Sequence, residues 1–448
     1  MRGRVPIAIY LTMRTGRRHG ATPPGPSVPT TLHHVAFRLA LADALLITPR
    51  HHGRVGIRLS GAGDRWKVRA AVNTDTPLST ANSAPARRGR VVVGMSGGVD
   101  SSVAAWLLKE QGYEVIGVTM KVWPQDCISR AEDKCCGPQA IADARGVAHA
   151  LGVPHYVIDE GENFERLVID YFTDEYKNGR TPNPCVMCNE KVKFGNLWGK
   201  AKALGADYIA TGHYAIIEHH SDRAVLRKGR DPRKDQSYFL FSLRQAQLAR
   251  ALTPLGGMEK TEIRAIARQL GLKTADKVDS QEICFVPGND YKAFLRSHLG
   301  ASEFHPGGIY DKAGNRVAEH EGIEMFTIGQ RKGLPGGSPR PMYVIDIDPA
   351  TSRVIVGEAE DLVTDEFTID HCLWHGAADE PFEVTVKIRY AHPGATATVF
   401  PGANGEARVR LHTPQRAVTP GQAAVCYRGD EVVGGGWIVR QQAAAVVI

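Results

Sequence analysis

The stretch VVVGMSGGVDSS, from Val91 to Ser102, constrains the fold more than any other part of the chain. Val91 to Val93 form a short continuous apolar run, which suits a strand buried on both faces of a parallel sheet. Gly97 and Gly98 then remove side chains at a tight turn, and Asp100, Ser101 and Ser102 open a helix whose apolar positions continue through Val103, Leu107 and Leu108 to Gly112. Strand, glycine turn and helix start in this order aim backbone N–H groups and the positive end of a helix at one place, where an anion would sit. Two common phosphate-binding patterns fail in detail. No Gly-Lys-Ser/Thr closes the loop as a Walker motif requires, and G-M-S-G-G-V-D-S is not G-x-G-x-x-G. A glycine turn between strand and helix also occurs with no ligand at all.

Further strand candidates follow at Tyr113 to Met120, His155 to Asp159 and Ala206 to Tyr214, with helical stretches such as IADARGVAHALG between them. This βα alternation gives the loop the context it needs. A length of 448 residues exceeds one ordinary domain, and 43% hydrophobic residues are enough for two or three cores. The formal charge of +7 does not imply a nucleic-acid partner, because it is unevenly spread. Residues 1–90 hold 15 Lys or Arg against 3 acidic residues, which leaves the remainder at −5. That leader is rich in Arg, Pro, Ser, Thr and Ala and lacks a sustained period, so it reads as mostly disordered, with a transit peptide as the alternative. The apolar segment Val35 to Ile47 is interrupted by Arg38 and Asp43 and is too short for a membrane span, so no membrane partner is expected. Eight cysteines in a chain this long do not form a secreted disulfide framework, which points to a reducing compartment.

SGGVDSS resembles the PP-loop of ATP pyrophosphatases, which cleave ATP between the α and β phosphates to adenylate a substrate. The loop cannot choose among members of that group. The later segments GRTPNPCVMCNEKVKFG, ATGHYA, KDQSYFL, DSQEICF, FTIGQRKGL and PGQAAVCY, in this order, resemble the tRNA-specific 2-thiouridylase family from about Val91 to the C-terminus. The resemblance implies an α/β doubly wound parallel-sheet PP-loop domain, then a small β-rich central domain and a C-terminal β-barrel. It also implies replacement of the C2 oxygen of the tRNA wobble uridine by sulfur. Adenylation would turn that oxygen into part of a leaving AMP. On this resemblance Gly94, Met95, Ser96, Gly97, Gly98, Val99, Asp100 and Ser101 hold ATP phosphates with Mg²⁺, and Met120 and Gly212 contact the adenosine.

Cys185 and Cys188 form a CxxC just before a helix expected at Val192 to Leu204, and a helix N-terminus lowers a nearby thiol pKa. The resemblance makes Cys188 the catalytic nucleophile and Cys284 the catalytic persulfide carrier. Read without it, Cys284 between Ile283 and Phe285 is a small buried hydrophobe, and the CxxC is a redox pair or a metal site. Cys135 and Cys136 are poorly spaced for structural zinc. Family members carry either Asp or Cys at position 185. With Cys there, Cys185, Cys188 and Cys284 could ligate a [4Fe-4S] cluster with one open iron. Cys127, Cys372 and Cys426 read as structural. By the same resemblance Asn183, Pro184, Cys185, His213, Lys234, Asp235, Gln236, Arg389, Tyr390 and Gln422 approach tRNA. A packed histidine and a solvated loop are the ordinary meanings of His213 and of residues 234–236.

Beyond Phe285 the helix–strand alternation is expected to stop. FEVTVKIRY alternates with Phe382, Val384, Val386, Ile388 and Tyr390 on one face, and EARVRLH turns Arg408, Arg410 and His412 outward. The expected divisions are a leader at 1–90, the PP-loop domain at 91–297, a central domain at 298–363 and a barrel at 364–448. The resemblance further implies a cytoplasmic monomer, or a mitochondrial-matrix one if the leader is a transit peptide, served by a persulfide sulfur donor such as a cysteine desulfurase or sulfur-relay protein. Two other classes fit parts of the sequence. A PP-loop amidotransferase or ligase for a small molecule leaves NPCVMCN and the barrel unused, and a noncatalytic RNA-binding relative would not need intact Asp100, Ser101, Cys188 and Cys284.

Overall fold

The computed structural model describes residues 56–60, 67–71, 88–122, 137–277, 283–334, 336, 340–376 and 378–440. The chain divides into two units, residues 1–84 and 85–448. In the first, Gly56–Ser60 and Lys67–Ala71 pair antiparallel. They flank GAGDRW, a local hairpin signal that a period sought across the whole leader passes over. The rest of the leader expectation lies outside the described residues.

In the second unit Val91, Val92 and Val93 have no exposed surface. They form the middle of β1 (Arg90–Gly94), which pairs in parallel with β2 (Glu114–Lys121) on one side and β4 (Tyr208–Ala210) on the other. With β3 (His155–Asp159) beyond β2 and the short β7 (Ala251–Leu252) beyond β4, the sheet runs β3-β2-β1-β4-β7, parallel throughout. The chain first steps outward from β1 to β2 and β3 and then returns to its other side. Connections therefore diverge at the carboxyl end of β1 and leave a crevice there. Helix α1 (Val99–Glu110) leaves that end, and α2 (Pro138–Leu151) follows β2, with Pro at its first turn and Gly152 in the left-handed region at its end. Both pack Val99, Val103, Leu108, Ala144 and Val147 onto one face of the sheet.

Two departures from the sequence reading occur here. The strand expected over Ala206 to Tyr214 stops at Ala210, so Thr211, Gly212 and His213 lie beyond its end. Helical structure also resumes after Phe285. Asp290 caps α4 (Tyr291–Leu299) by accepting from the Ala293 N–H at 3.0 Å, and Phe294 and Leu295 provide its buried face. This helix spans the boundary expected at residue 297.

The central β-rich part is a four-stranded sheet in the order β9-β8-β11-β10, where β8 is Gly307–Tyr310, β9 is Arg316–His320, β10 is Tyr343–Asp348 and β11 is Arg353–Gly357. The last part is a barrel of six strands: β12 (Val363–Trp374), β13 (Phe382–Lys387), β14 (Ala395–Pro401), β15 (Ala407–Arg416), β16 (Ala423–Arg428) and β17 (Glu431–Ile438). Its order is β12-β15-β14-β13-β16-β17, and pairing of β17 with β12 closes it and removes both free edges. A hairpin from the first part, β5 (Ala215–His219) with β6 (Ala224–Lys228), joins the barrel at the Glu431–Arg227 pair. The expected doubly wound α/β sheet, β-rich middle and terminal barrel are thus the observed architecture. Cys426 is fully buried in the barrel wall and burial raises its thiol pKa, in keeping with a structural role, while Cys127 lies outside the described residues.

Barrel closure depends on close backbone approach at Gly434. Its φ is +141°, and a Cβ there would lie 2.2 Å from the Leu373 carbonyl oxygen. Gly434→Ala is expected to cost about 2 kcal/mol of stability, read as a lower Tm in thermal unfolding.

Candidate functional site

At the carboxyl end of β1 the loop folds back on the sheet. The Met95 N–H donates to the Val118 carbonyl at 2.8 Å, and the Thr119 hydroxyl donates to the Met95 carbonyl at 2.7 Å. Gly97 has φ +69°, and a Cβ on it would meet the Ala140 carbonyl oxygen at 2.2 Å, so only glycine fits. Gly98 is the N-cap of α1 and supplies no side-chain cap. The first-turn amides of α1 therefore face the crevice without a capping side chain. Ser101 turns its hydroxyl back into the loop, accepting from the Ser96 N–H at 3.2 Å and donating to the Gly98 carbonyl at 3.2 Å. Gly212 presses on the same turn, since a Cβ there would lie 2.8 Å from the Ser101 nitrogen. Gly94, Met95, Ser96, Gly97, Gly98, Val99, Asp100, Ser101 and Gly212 thus come together. Met120 lies near the end of β2, packed between two apolar clusters.

Asp100 is the charged centre of this crevice. Its carboxylate accepts from the Tyr214 hydroxyl at 2.6 Å and from the Lys260 ammonium at 2.8 Å on each oxygen. Lys277 reaches the other side of the turn, donating to the Gly97 carbonyl at 3.2 Å and pairing with Asp143 at 2.8 Å. Sequence reasoning missed Tyr214, Lys260 and Lys277. No local pattern marks them, because each reaches the loop from more than a hundred residues away in the chain.

The cysteine segment is helical from Pro184, earlier than the Val192 expected. Pro184–Met187 is α-helical, Cys188–Asn196 is a π-helix and Leu197–Ala203 is α-helical again. Asn183 is the N-cap, with its side chain accepting from the Val186 N–H. Cys188 therefore sits one turn inside the helix, away from free N-terminal amides, and the expected lowering of its thiol pKa does not occur. Burial raises it instead, with the Lys193 ammonium pulling the other way. Burial and the neighbouring Cys188 push the Cys185 thiol up to about 11, again opposed by Lys193. The π-helix bears on the position of Lys193 relative to Cys188. In an α-helix, positions five apart point about 140° away from each other, whereas i→i+5 bonding brings Cys188 and Lys193 toward one side. Gln247 stabilises this widened turn by donating to the Glu190 and Phe194 carbonyls, each at 3.1 Å.

Cys284 arrives from a distant segment. Phe285 next to it anchors in an aromatic cluster with Phe172 and Phe294 at ring distances of 5.1 and 5.3 Å. Cys188 and Cys284 both pack against the larger apolar cluster that contains these rings. His213 is 8% exposed, shares a 2.7 Å hydrogen bond with Thr211 through Nδ1, and is held neutral by burial with a further push from Lys193.

Several residues expected to approach tRNA have structural partners. Asp235 is buried and accepts from the Gly229 and Ser237 N–H groups at 3.0 and 3.1 Å. Gln236 accepts from the Tyr214 N–H at 3.0 Å, and its neighbour Lys234 lies in the same turn. Asn183 is 7% exposed and Pro184 is buried. Gln422, just before β16, donates to the Thr181 and Pro182 carbonyls at 3.1 and 3.0 Å and so ties the barrel to the cysteine segment. Tyr390 leaves the apolar face expected for it, because β13 ends at Lys387. Arg389 and Tyr390 are exposed in the following turn, where the Tyr390 ring packs on Phe239 at 4.4 Å. A cavity of about 510 Å³ lies against Met187 of the cysteine helix and is lined by none of the three cysteines and by no residue of the Gly94–Ser101 loop. Cys372 is partly buried and its thiol is pushed up to about 12, which leaves it inert.

Because the thiolate is the reactive form, a raised pKa delays alkylation until higher pH. Iodoacetamide labelling of Cys188, followed by peptide mass spectrometry, is expected to have a midpoint above the ordinary cysteine value. Lys193→Met removes this opposing charge and should move that midpoint higher still.

Residues 89–288 match the model of the tRNA methyl transferase HUP domain, 292–358 that of the tRNA methyl transferase PRC-barrel domain, and 364–438 that of the aminomethyltransferase beta-barrel domain. A tRNA-specific 2-thiouridylase MnmA from Geobacter metallireducens is 52% identical over 357 residues, 78% of this chain and 97% of that protein. The tRNA-specific 2-thiouridylase MnmA 2 of Clostridium botulinum is 49% identical over 352 residues, 78% of this chain and 99% of that protein. Among solved structures, a 4-thiouridine synthetase–RNA complex with bound ATP aligns at TM-score 0.30 and 16% identity, over 59% of this chain and 64% of that one. Matched along nearly the full length of relatives half identical to it, this chain belongs to the tRNA-specific 2-thiouridylase family.

Proposed function

We propose that this enzyme is an ATP-dependent tRNA uridine 2-sulfurtransferase in which Cys188 and Cys284 handle the sulfur. The observation that supports the reading is that these two thiols, 96 positions apart in sequence, both pack against one apolar cluster. The loop from Gly94 to Ser101 would hold ATP phosphates on its amides, and Asp100 is the carboxylate available to an accompanying Mg²⁺. The C2 oxygen of the uridine attacks the α-phosphorus. The bond to the bridging oxygen breaks, and its electron pair leaves with pyrophosphate. C2 then carries AMP as a leaving group. The terminal sulfur of a Cys284 persulfide attacks C2 and AMP departs. The Cys188 thiolate next attacks the Cys284 sulfur, leaving the transferred sulfur and its electron pair on C2 and a Cys188–Cys284 disulfide that an external thiol reduces. Lys193 favours the Cys188 thiolate, and neutral His213 adds no charge to this buried site. The sulfur comes from a persulfide donor.

The three thiols Cys185, Cys188 and Cys284 are also the donor set of a [4Fe-4S] cluster with one open iron, and such a cluster would supply a binding position for sulfide. Methyl transfer, which the wording of two matched domain models suggests, gives the thiols no part.

Incubation with tRNA, labelled ATP and a persulfide donor is expected to yield AMP, pyrophosphate and 2-thiouridine, and ADP as product would exclude this chemistry. Cys188→Ala and Cys284→Ala should each abolish thiolation, whereas Cys185→Ala should keep part of it. Iron-free, active protein after anaerobic purification supports the persulfide route. Activity strictly dependent on iron and on Cys185 overturns it in favour of the cluster.

Exposed Arg389 would track the RNA backbone rather than ATP. Arg389→Ala should weaken tRNA binding, reduce the slope of log affinity against log salt by about 1, and leave ATP binding unchanged. An unaltered slope in a filter-binding salt series removes Arg389 from the interface.

A further inference from the structure

Lys260 stands where its own helix gives no reason for a cation. It is the first residue of α3 (Lys260–Gln269), at the positive end of the helix dipole, and it is 8% exposed. A buried ammonium in a first helical turn is opposed both by the dipole and by desolvation. The helix does not need it. Glu259 and Glu262 already form a reciprocal capping box, with the Glu259 N–H donating to Glu262 at 2.8 Å. The lysine stem instead crosses the crevice, with its ammonium 5.6 Å from the centre of the Tyr214 ring, to bind both oxygens of Asp100 at 2.8 Å.

The pair sits where a polyphosphate and its metal ion would each prefer one partner. Asp100 belongs to the first turn of α1, beside the loop amides, and its side chain is 31% exposed against 10% for Lys260. A divalent cation competes for the carboxylate. A phosphate oxyanion competes for the ammonium. Tyr214, donating to Asp100 at 2.6 Å, keeps the carboxylate in place through such an exchange.

Resting on the reading of the loop as the ATP site, we propose that Lys260 recognises the β and γ phosphates and that Asp100 holds its ammonium in readiness until the nucleotide arrives. Lys260 then lies on the side from which pyrophosphate departs. Its charge meets the electron pair that leaves with the bridging oxygen, so it acts more strongly as the bond breaks than before. AMP, which lacks both outer phosphates, gives Lys260 nothing to bind.

The test is calorimetric titration of the full chain with ATP, AMP and inorganic pyrophosphate, each with Mg²⁺. Wild type is expected to bind ATP more tightly than AMP. Lys260→Met should weaken ATP and pyrophosphate by about tenfold or more and leave AMP affinity as in wild type, which also shows that the variant is folded. Lys260→Gln, which keeps a polar group beside Asp100, serves as a second neutral variant and should show the same selective loss. Equal loss for ATP and AMP, or an unchanged ATP-to-AMP ratio, overturns the assignment. Failure of the wild type to bind ATP would instead refute the nucleotide site itself.

Discussion

The organisation of this molecule depends on close backbone packing at the end of β1. Gly97 sits against the carbonyl of Ala140 in α2, and Gly212 sits against the Ser101 nitrogen. A single methyl group at either place would force the turn away from its neighbours. With both packed, the loop is fixed between the connections that diverge to β2 and β4, and the amides of α1 open into the crevice between them. Asp100, Tyr214, Lys260 and Lys277 can converge on the turn only because its backbone position is over-determined in this way.

The sulfur site is built on a different principle. Its helix is widened into a π-helix, a geometry that costs hydrogen-bond quality and survives only with outside support. That support comes from Gln247 on two helix carbonyls, Asn189 donating to the Phe239 carbonyl at 3.2 Å, and Gln422 of the barrel on the preceding loop. Tyr238 adds a bond to the Ala423 carbonyl at 2.9 Å. The barrel thus braces the cysteines as well as presenting a surface. Burial explains why the Cys185 and Cys188 thiols are held protonated until a positive charge or a reacting sulfur offsets the cost of charge, and the Lys193 ammonium pulls in that direction.

The same bracing gives several polar residues a structural role. Asn183, Asp235, Gln236 and Gln422, which the family resemblance sets toward tRNA, each also hold a backbone segment in the fold. Arg389 and Tyr390 are the most exposed of the residues set toward tRNA by the resemblance, while Cys185, Lys234, Gln236 and Gln422 are half-buried.

Cys284 is singled out only by the resemblance of its segment to the family. The sequence by itself determined the loop, the parallel sheet around it, the alternating strands of the barrel and the pairing of Cys185 with Cys188. All of these are written in neighbouring residues, as periods of two and 3.6, glycines at a turn, or a CxxC. It did not determine the helix at Tyr291–Leu299, the early start and π-helical register of the cysteine segment, or the direction of the Cys188 pKa shift. Nor did it reveal Lys260 beside Asp100. Tertiary structure decided these because burial, like the meeting of a lysine with a carboxylate 160 positions away, depends on packing between segments that share no local pattern. The electrostatics of a buried group depend on that packing rather than on the residues beside it in the chain.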